Sequence, residues 1–190
     1  NAALAAATLL TTTKLKKFDG IKRNQVDNYA IWHIRSIACQ HQSTSQGGWG
    51  HTWQSALWAA TAGQAGWLLW DKLNQAERGY VASMVESEAN AVAKRGPRYF
   101  RDRAGNELSQ GDSKADEVSW DLLAPTLAVA MMPKHKNAKI WKESAIALSL
   151  AAFSRPGDLT KEQSINGINV ALRLPGTNAN EDGTITNHGI

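Results

Sequence analysis

Three stretches of this chain carry residues that can move protons or grip a charged ligand. At 187–189 stands Asn187-His188-Gly189. An amide donor beside an imidazole can hold a carboxylate and neutralise it. That matters for removing a proton from the carbon next to a carboxylate, because such a proton is too weakly acidic unless donors meet the developing enolate. The imidazole can also be the base. The bland alternative is a surface Asn-His-Gly turn.

The second stretch is Gly47-Gly48-Trp49-Gly50-His51-Thr52-Trp53-Gln54. Its glycines allow backbone to come close to a ligand. Trp49 and Trp53 are four apart and share a face if the helix has begun by then. His51 and Gln54 stand at a helix N-terminus, where free N–H groups and partial positive charge favour an anion. Trp, Gln and His at such a junction read as a sugar subsite, or equally as an aromatic staple closing the helix entry.

The third is Lys114-Ala115-Asp116-Glu117-Val118-Ser119-Trp120-Asp121. Glu117, Trp120 and Asp121 share one helical face. A carboxylate beside Trp can orient sugar hydroxyls or act as a general acid. The plainer reading is a set of acidic residues favouring the helix dipole, and for Asp116 it is the better one. Paired carboxylates on a helical ring would otherwise indicate an inverting glycosidase.

The remaining candidates are weaker. His33 lies on an apolar helix face and reads as a core histidine. His41 ends its helix, a good place for a cation, and His135 sits in a Lys-rich loop. Cys39 is the single cysteine, so no intrachain disulfide forms and the redox compartment stays open; beside Ile37 and Ala38 it reads as a small buried hydrophobe. No His-Glu-x-x-His or comparable pattern is present, so we expect no catalytic metal and no cofactor. A phosphate-binding glycine loop, a Gly-x-Ser-x-Gly elbow and nucleic-acid modules are also missing.

The elements that must position these residues are helices. Apolar spacing predicts helices over 1–13, 24–41, 52–73, 114–132 and 137–153. In the second, Val26, Tyr29, Ala30, His33, Ile34 and Ile37 recur at helical spacing. In the third, Leu57, Ala60, Gly63 or Gln64, Trp67 and Leu68 run along one side. Asn74 with Glu77 three residues on makes a capping box for a further helix that runs to about Lys94 and is stopped by Gly96-Pro97. Residues 97–113 read as irregular with a turn at 101–106, and the Gly/Asn-rich tail from Asp158 holds a short strand at 168–172. Paired helices of this length with polar loops between them predict an all-α, incomplete α/α toroid or solenoid with an irregular C-terminal tail, over residues 1–190 as one domain.

The bulk numbers agree with a folded chain. It has 190 residues, 43% hydrophobic and 20% charged, with net charge +4. Lys14, Lys16, Lys17, Lys22 and Arg23, and later Lys134, Lys136 and Lys139, give it a basic surface suited to polyanions, or simply solvated helix faces. Eight Trp against three Phe and three Tyr is unusual, and Trp suits stacking on sugar rings as well as core filling. No apolar run is long enough to span a membrane. The Ala-rich start lacks a basic region ahead of it, so we read it as a first helix in a processed chain and not as a signal peptide.

An Asn-His-Gly following several α-hairpins with Trp-rich ends resembles the α/α-toroid polysaccharide lyases of the alginate lyase and heparinase II/III type. The segments Trp49-Gly50-His51-Thr52-Trp53-Gln54-Ser55-Ala56-Leu57-Trp58-Ala59-Ala60 and Ala128-Val129-Ala130-Met131-Met132-Pro133 are similar to secreted bacterial proteins of that group. The resemblance implies β-elimination on a uronate-containing acidic polysaccharide, outside the cytoplasm. Asn187 would neutralise the carboxylate, and His188 would be the neutraliser or the base. In that family a tyrosine tens of residues later exchanges the second proton. None follows His188 here, and Tyr29, Tyr80 and Tyr99 all lie upstream. We therefore expect this chain to be the N-terminal helical part, completed by a C-terminal fragment or a second chain. The alternatives are a glycoside hydrolase, a lyase scaffold reused on a small carboxylate, and a non-catalytic carbohydrate-binding subunit.

Overall fold

The computed structural model describes residues 1–161, 164, 165 and 167–187. Six long helices carry the fold: α1 (Ala2–Thr12), α2 (Arg23–Cys39), α3 (Ser55–Leu68), α4 (Gln75–Arg95), α5 (Ala115–Met131) and α6 (Ala138–Ala152). Short ladders decorate the connections: β1 (Lys17–Phe18) with β2 (Ile21–Lys22), β3 (Arg101–Asp102) with β6 (Gly176–Thr177), and β4 (Ser164–Ile165) with β5 (Ile168–Asn169), all antiparallel. A single-turn α7 (Val170–Arg173) lies between β5 and β6. The chain is thus predominantly helical, as its periodicity predicts.

Each long helix packs mainly on the helices one and two places away in the chain. α1, α3 and α5 touch in one row, α2, α4 and α6 in another, and α1/α2, α3/α4 and α5/α6 form hairpins between the rows. That is a two-layer stack of three helical hairpins. It gathers the C-termini of α2, α4 and α6 and the N-termini of α3 and α5 at one end, where the bonds described below join them.

The local signals act as their chemistry requires. The Asn74 side chain accepts the Glu77 N–H at 3.0 Å while Glu77 Oε2 accepts the Asn74 N–H at 2.9 Å, and Gly96 at φ 72° ends α4. The 101–106 turn is closed by Asp102 Oδ1, which accepts from the N–H groups of Ala104 and Asn106.

α3 departs from expectation. It starts at Ser55, and a 3₁₀ turn at Trp70–Lys72 ends the segment that periodicity carries to residue 73. Its buried face is Ala56, Ala59, Ala60, Ala62, Gly63, Ala65 and Gly66, whereas Trp58, Trp67 and Leu68 face outward. The reason is close helix approach. A Cβ on Gly63 would lie 2.5 Å from Val85 Cγ2 and 2.9 Å from Leu127 Cδ2, so α4 and α5 press on a surface made only of small residues. Three smaller expectations also change. Cys39 is only half-buried. His33 is half-buried against Tyr29 and Trp32 and does not lie in the core. The strand expected over 168–172 is two residues long and gives way to α7.

The tail is fastened by one buried amide. Asn178 Oδ1 accepts the N–H groups of Phe100 (2.8 Å) and Lys114 (3.1 Å), and its Nδ2 donates to the carbonyls of Arg98 (2.9 Å) and Ala151 (3.0 Å). Further on, the Ser113 N–H donates to the Thr186 carbonyl at 2.7 Å. The chain just before Asn187 is therefore laid against the start of α5.

Candidate functional site

The third stretch supplies the centre. Glu117 and Asp121 are one helical turn apart on α5 and both face the end of α4. Arg98 reaches Glu117 Oε2 at 2.6 Å and Asp121 Oδ2 at 3.1 Å, and Arg95 reaches Asp121 Oδ1 at 2.7 Å. Lys114 stands 3.5 Å from Glu117 and 2.9 Å from Asp112. The Asp112 contact, against some desolvation and with help from Glu117, holds the Lys114 ammonium above its ordinary pKa, so it stays a cation.

Trp53 lies over this ionic cluster. Its Nε1–H donates to Glu117 Oε1 at 3.0 Å, and its ring meets Trp120 edge-on with centroids 5.6 Å apart. Trp53 remains 56% exposed although its indole N–H is tied down. An exposed aromatic face held at a fixed angle, with guanidinium groups beside it, can stack on a sugar ring and meet its acidic substituent. The shared face expected for Glu117, Trp120 and Asp121 is present, and Trp53 joins it from another element.

Trp49 does not. Because α3 begins only at Ser55, Trp49 and Trp53 do not share a helical face. Trp49 packs edge-on against His41 and Trp58 and spends its indole N–H on the Ile37 carbonyl at 2.9 Å. Gln54 is the half-buried residue immediately before α3. His51 has left-handed backbone (φ 53°) and lies across α4, with Nε2 2.9 Å from Ser87 Oγ and 3.2 Å from the Ser87 carbonyl.

What sets that turn is a buried polar knot. Glu88 is 1% exposed, and Oε1 accepts the His51 N–H at 2.6 Å and meets His41 Nε2 at 3.0 Å, while Oε2 accepts the Ser55 hydroxyl at 2.8 Å. The Ser43 N–H donates to His41 Nδ1 at 3.1 Å, which leaves the ring proton on Nε2, directed at Glu88. Burial alone would raise the Glu88 pKa. The bonds from His41, the His51 N–H and Ser55 outweigh it and hold the carboxyl below its ordinary value. Gly50 (φ +144°) passes so close that a Cβ there would lie 2.5 Å from His41 Nε2 and 3.0 Å from Glu88 Oε1.

Asn187 is exposed, one residue beyond the Thr186–Ser113 bond and so beside the start of α5. His188 lies outside the described residues. Tyr99, next to Arg98 in sequence, has its pKa pushed up to about 12 by burial, so it is a phenol and not a base at neutral pH. Among the described residues no group of three or more His, Cys, Asp or Glu side chains is placed to hold a metal, and no helix is long and apolar enough to cross a membrane.

The sequence reading passed over Arg95, Arg98 and Glu88, and it placed His41 at a helix end without its buried partner Glu88. A signal for Glu88 existed: Val81, Met84, Val85, Glu88 and Val92 fall on one helical stripe, so an acidic residue was written into an apolar face. Arg95 and Arg98 flank the Gly96-Pro97 helix stop, a position that carries no signal of its own. No family model matches this chain, and no curated protein or solved structure is significantly similar to it.

Proposed function

We propose that this chain is the helical part of a carbon–oxygen lyase acting on a uronate-containing acidic polysaccharide. In this reading the two-layer stack is a portion of an α/α toroid, and the sugar chain lies across the gathered ends of α3, α4 and α5. Trp53 and Trp120 offer the stacking surface, and Arg95, Arg98 and Lys114 attract the acidic groups. The Asn187 amide neutralises the uronate carboxylate, and His188 takes the proton α to it. As that C–H bond breaks, its electron pair forms a carbon–carbon double bond and the β C–O bond leaves with a proton supplied by a further segment or a partner chain. The enzyme would act outside the cytoplasm, where such polymers occur.

The observation that carries the reading is that Trp53, Glu117, Trp120 and Asp121, on two separate elements, meet among cations at the same end of the stack to which the Thr186–Ser113 bond leads Asn187. The arrangement favours this over glycoside hydrolysis by Glu117 and Asp121. Their carboxylate oxygens already face Arg95, Arg98, Lys114 and Trp53. Their work here is to hold donors in place.

The test is incubation of the protein with soluble polyuronates while following the ultraviolet absorbance of an unsaturated uronate product. Turnover in the wild type, abolished in His188→Ala with the fold retained, supports the lyase. New reducing ends without unsaturation, abolished in Glu117→Gln, mean a hydrolase. Retained sugar binding without turnover, with any partner chain present, means a binding subunit.

A further inference from the structure

Reached from the Trp53–Trp120 surface through Arg95 is an open concavity of about 620 Å³, walled by His51, Ser87, Asn90, Ala91, Lys94 and Arg95. Its chemistry is cationic. Lys94 is exposed and makes no ion pair among the described residues. Arg95 lines the hollow and also bonds Asp121, so it is the wall shared with the first site. His51 Nε2 lies 2.9 Å from the Ser87 hydroxyl and 3.2 Å from the Ser87 carbonyl, so the imidazole and the hydroxyl are held together on one wall. The His51 wall is built at a cost, since a left-handed non-glycine backbone is strained and persists only where its surroundings impose it. Here Glu88, His41 and the bare Gly50 impose it.

We infer that His51, Ser87, Lys94 and Arg95 form a second anion subsite, so that the chain takes a polyanionic sugar chain spanning two or more acidic residues and not a single acidic sugar. This rests on the reading of the Trp53 region as an acidic-glycan site. Lys94 supplies the unpaired charge, Ser87 a hydroxyl on the wall, and Arg95 the bridge between adjacent acidic groups. Carboxylates spaced along one polymer reach both subsites together, and the second contact is then made at high effective concentration.

Two ladders of oligomannuronate and oligogalacturonate, monomer to hexamer, titrated calorimetrically into the full chain, test this. Affinity for at least one ladder rises roughly ten-fold or more between monomer and tetramer, the scale of one charged hydrogen bond. Lys94→Ala, an exposed change on α4 that leaves the core intact, removes most of that gain. Lys94→Arg keeps it, and Ser87→Ala reduces it. Wild-type affinity that does not depend on length, or a gain that survives Lys94→Ala, overturns the second subsite alone. No binding of either ladder at any length overturns the acidic-glycan reading itself.

Discussion

Glu88 shows how much one side chain can carry. It joins the end of α2 through His41, the start of α3 through Ser55, and the turn between them through the His51 N–H. Without Glu88 the His41 Nε2–H and the His51 N–H lose their acceptor, and an unsatisfied buried donor costs about 1–3 kcal/mol. Glu88→Ala is therefore expected to lower stability by that amount, and Glu88→Gln by less, since an amide still accepts one N–H. The pH dependence follows from the depressed pKa. Stabilisation by a carboxylate held below its unfolded value is complete at neutral pH and fades as pH falls below that value toward the native one. Thermal melting of the wild type should thus drop as pH goes below about 4.5, the ordinary value, and the Glu88→Gln protein should show a shallower drop. Parallel curves for the two proteins would remove the pH role from Glu88. Trp53 is tested at the same scale. If its exposed face stacks on sugar, Trp53→Ala weakens oligouronate binding by roughly 1–3 kcal/mol, by analogy with stacking of bases on aromatic rings. A fall in melting temperature with unchanged binding would make it a packing residue.

At the scale of elements, α3 and α4 use glycine in opposite ways. Gly63 is a contact surface: a methyl there meets Val85 and Leu127 well inside van der Waals distance. Gly79, inside α4, has nothing within 4 Å of its added Cβ. Overpacking costs typically about 1–3 kcal/mol, whereas Gly→Ala in an open helical position gains roughly 0.5–1 kcal/mol. Gly63→Ala should therefore destabilise and Gly79→Ala stabilise, read as opposite shifts of the urea midpoint. Shifts of the same sign would refute the tight α3–α4–α5 contact. These helices also show what could be read in advance. The α4 boundaries were legible because Asn74, Glu77 and Gly96 act within one turn of their own position. The buried face of α3 was not. Hydrophobicity scales rank Trp67 and Leu68 above Ala and Gly, but close packing selects residues by size. The Trp49–Trp53 pairing failed for a related reason: His51 turns left-handed, so the helical spacing that would align the two rings never starts. Glu117, Trp120 and Asp121 share a face because they lie within a single helix, and their partners Arg95 and Arg98 were hidden because a tertiary contact brings them in.

Across the whole molecule, Asn178 is the most deeply buried of the residues that join the stacked hairpins to the tail. Asn178 is fully buried and uses all four of its hydrogen-bonding capacities on Phe100, Lys114, Arg98 and Ala151. It thereby ties the tail to the segment that carries Arg98, to the start of α5 beside Glu117, and to the end of α6. Asn178→Ala would orphan the Lys114 N–H and the Arg98 carbonyl, whereas the Phe100 N–H keeps the Thr177 carbonyl and the Ala151 carbonyl keeps Ser154. Each orphaned group costs about 1–3 kcal/mol before water or relaxation compensates. The tail, still tied by the short β3–β6 ladder, Ser154, Arg101 to Asn180, Glu181 to the Gly157 N–H and the Thr186–Ser113 bond, should then loosen before the helical stack melts. The expected signature is local. Hydrogen exchange and limited proteolysis rise over residues 176–187 in Asn178→Ala, while amides of α3 and α4 keep their protection and Trp53 still contributes to sugar binding. Under the lyase reading, turnover is lost in this variant although the first subsite persists, because Asn187 leaves the start of α5. Uniform loss of protection over all six helices would instead make Asn178 a global stability residue. Full turnover with a detached tail would mean that Asn187 takes no part in the chemistry.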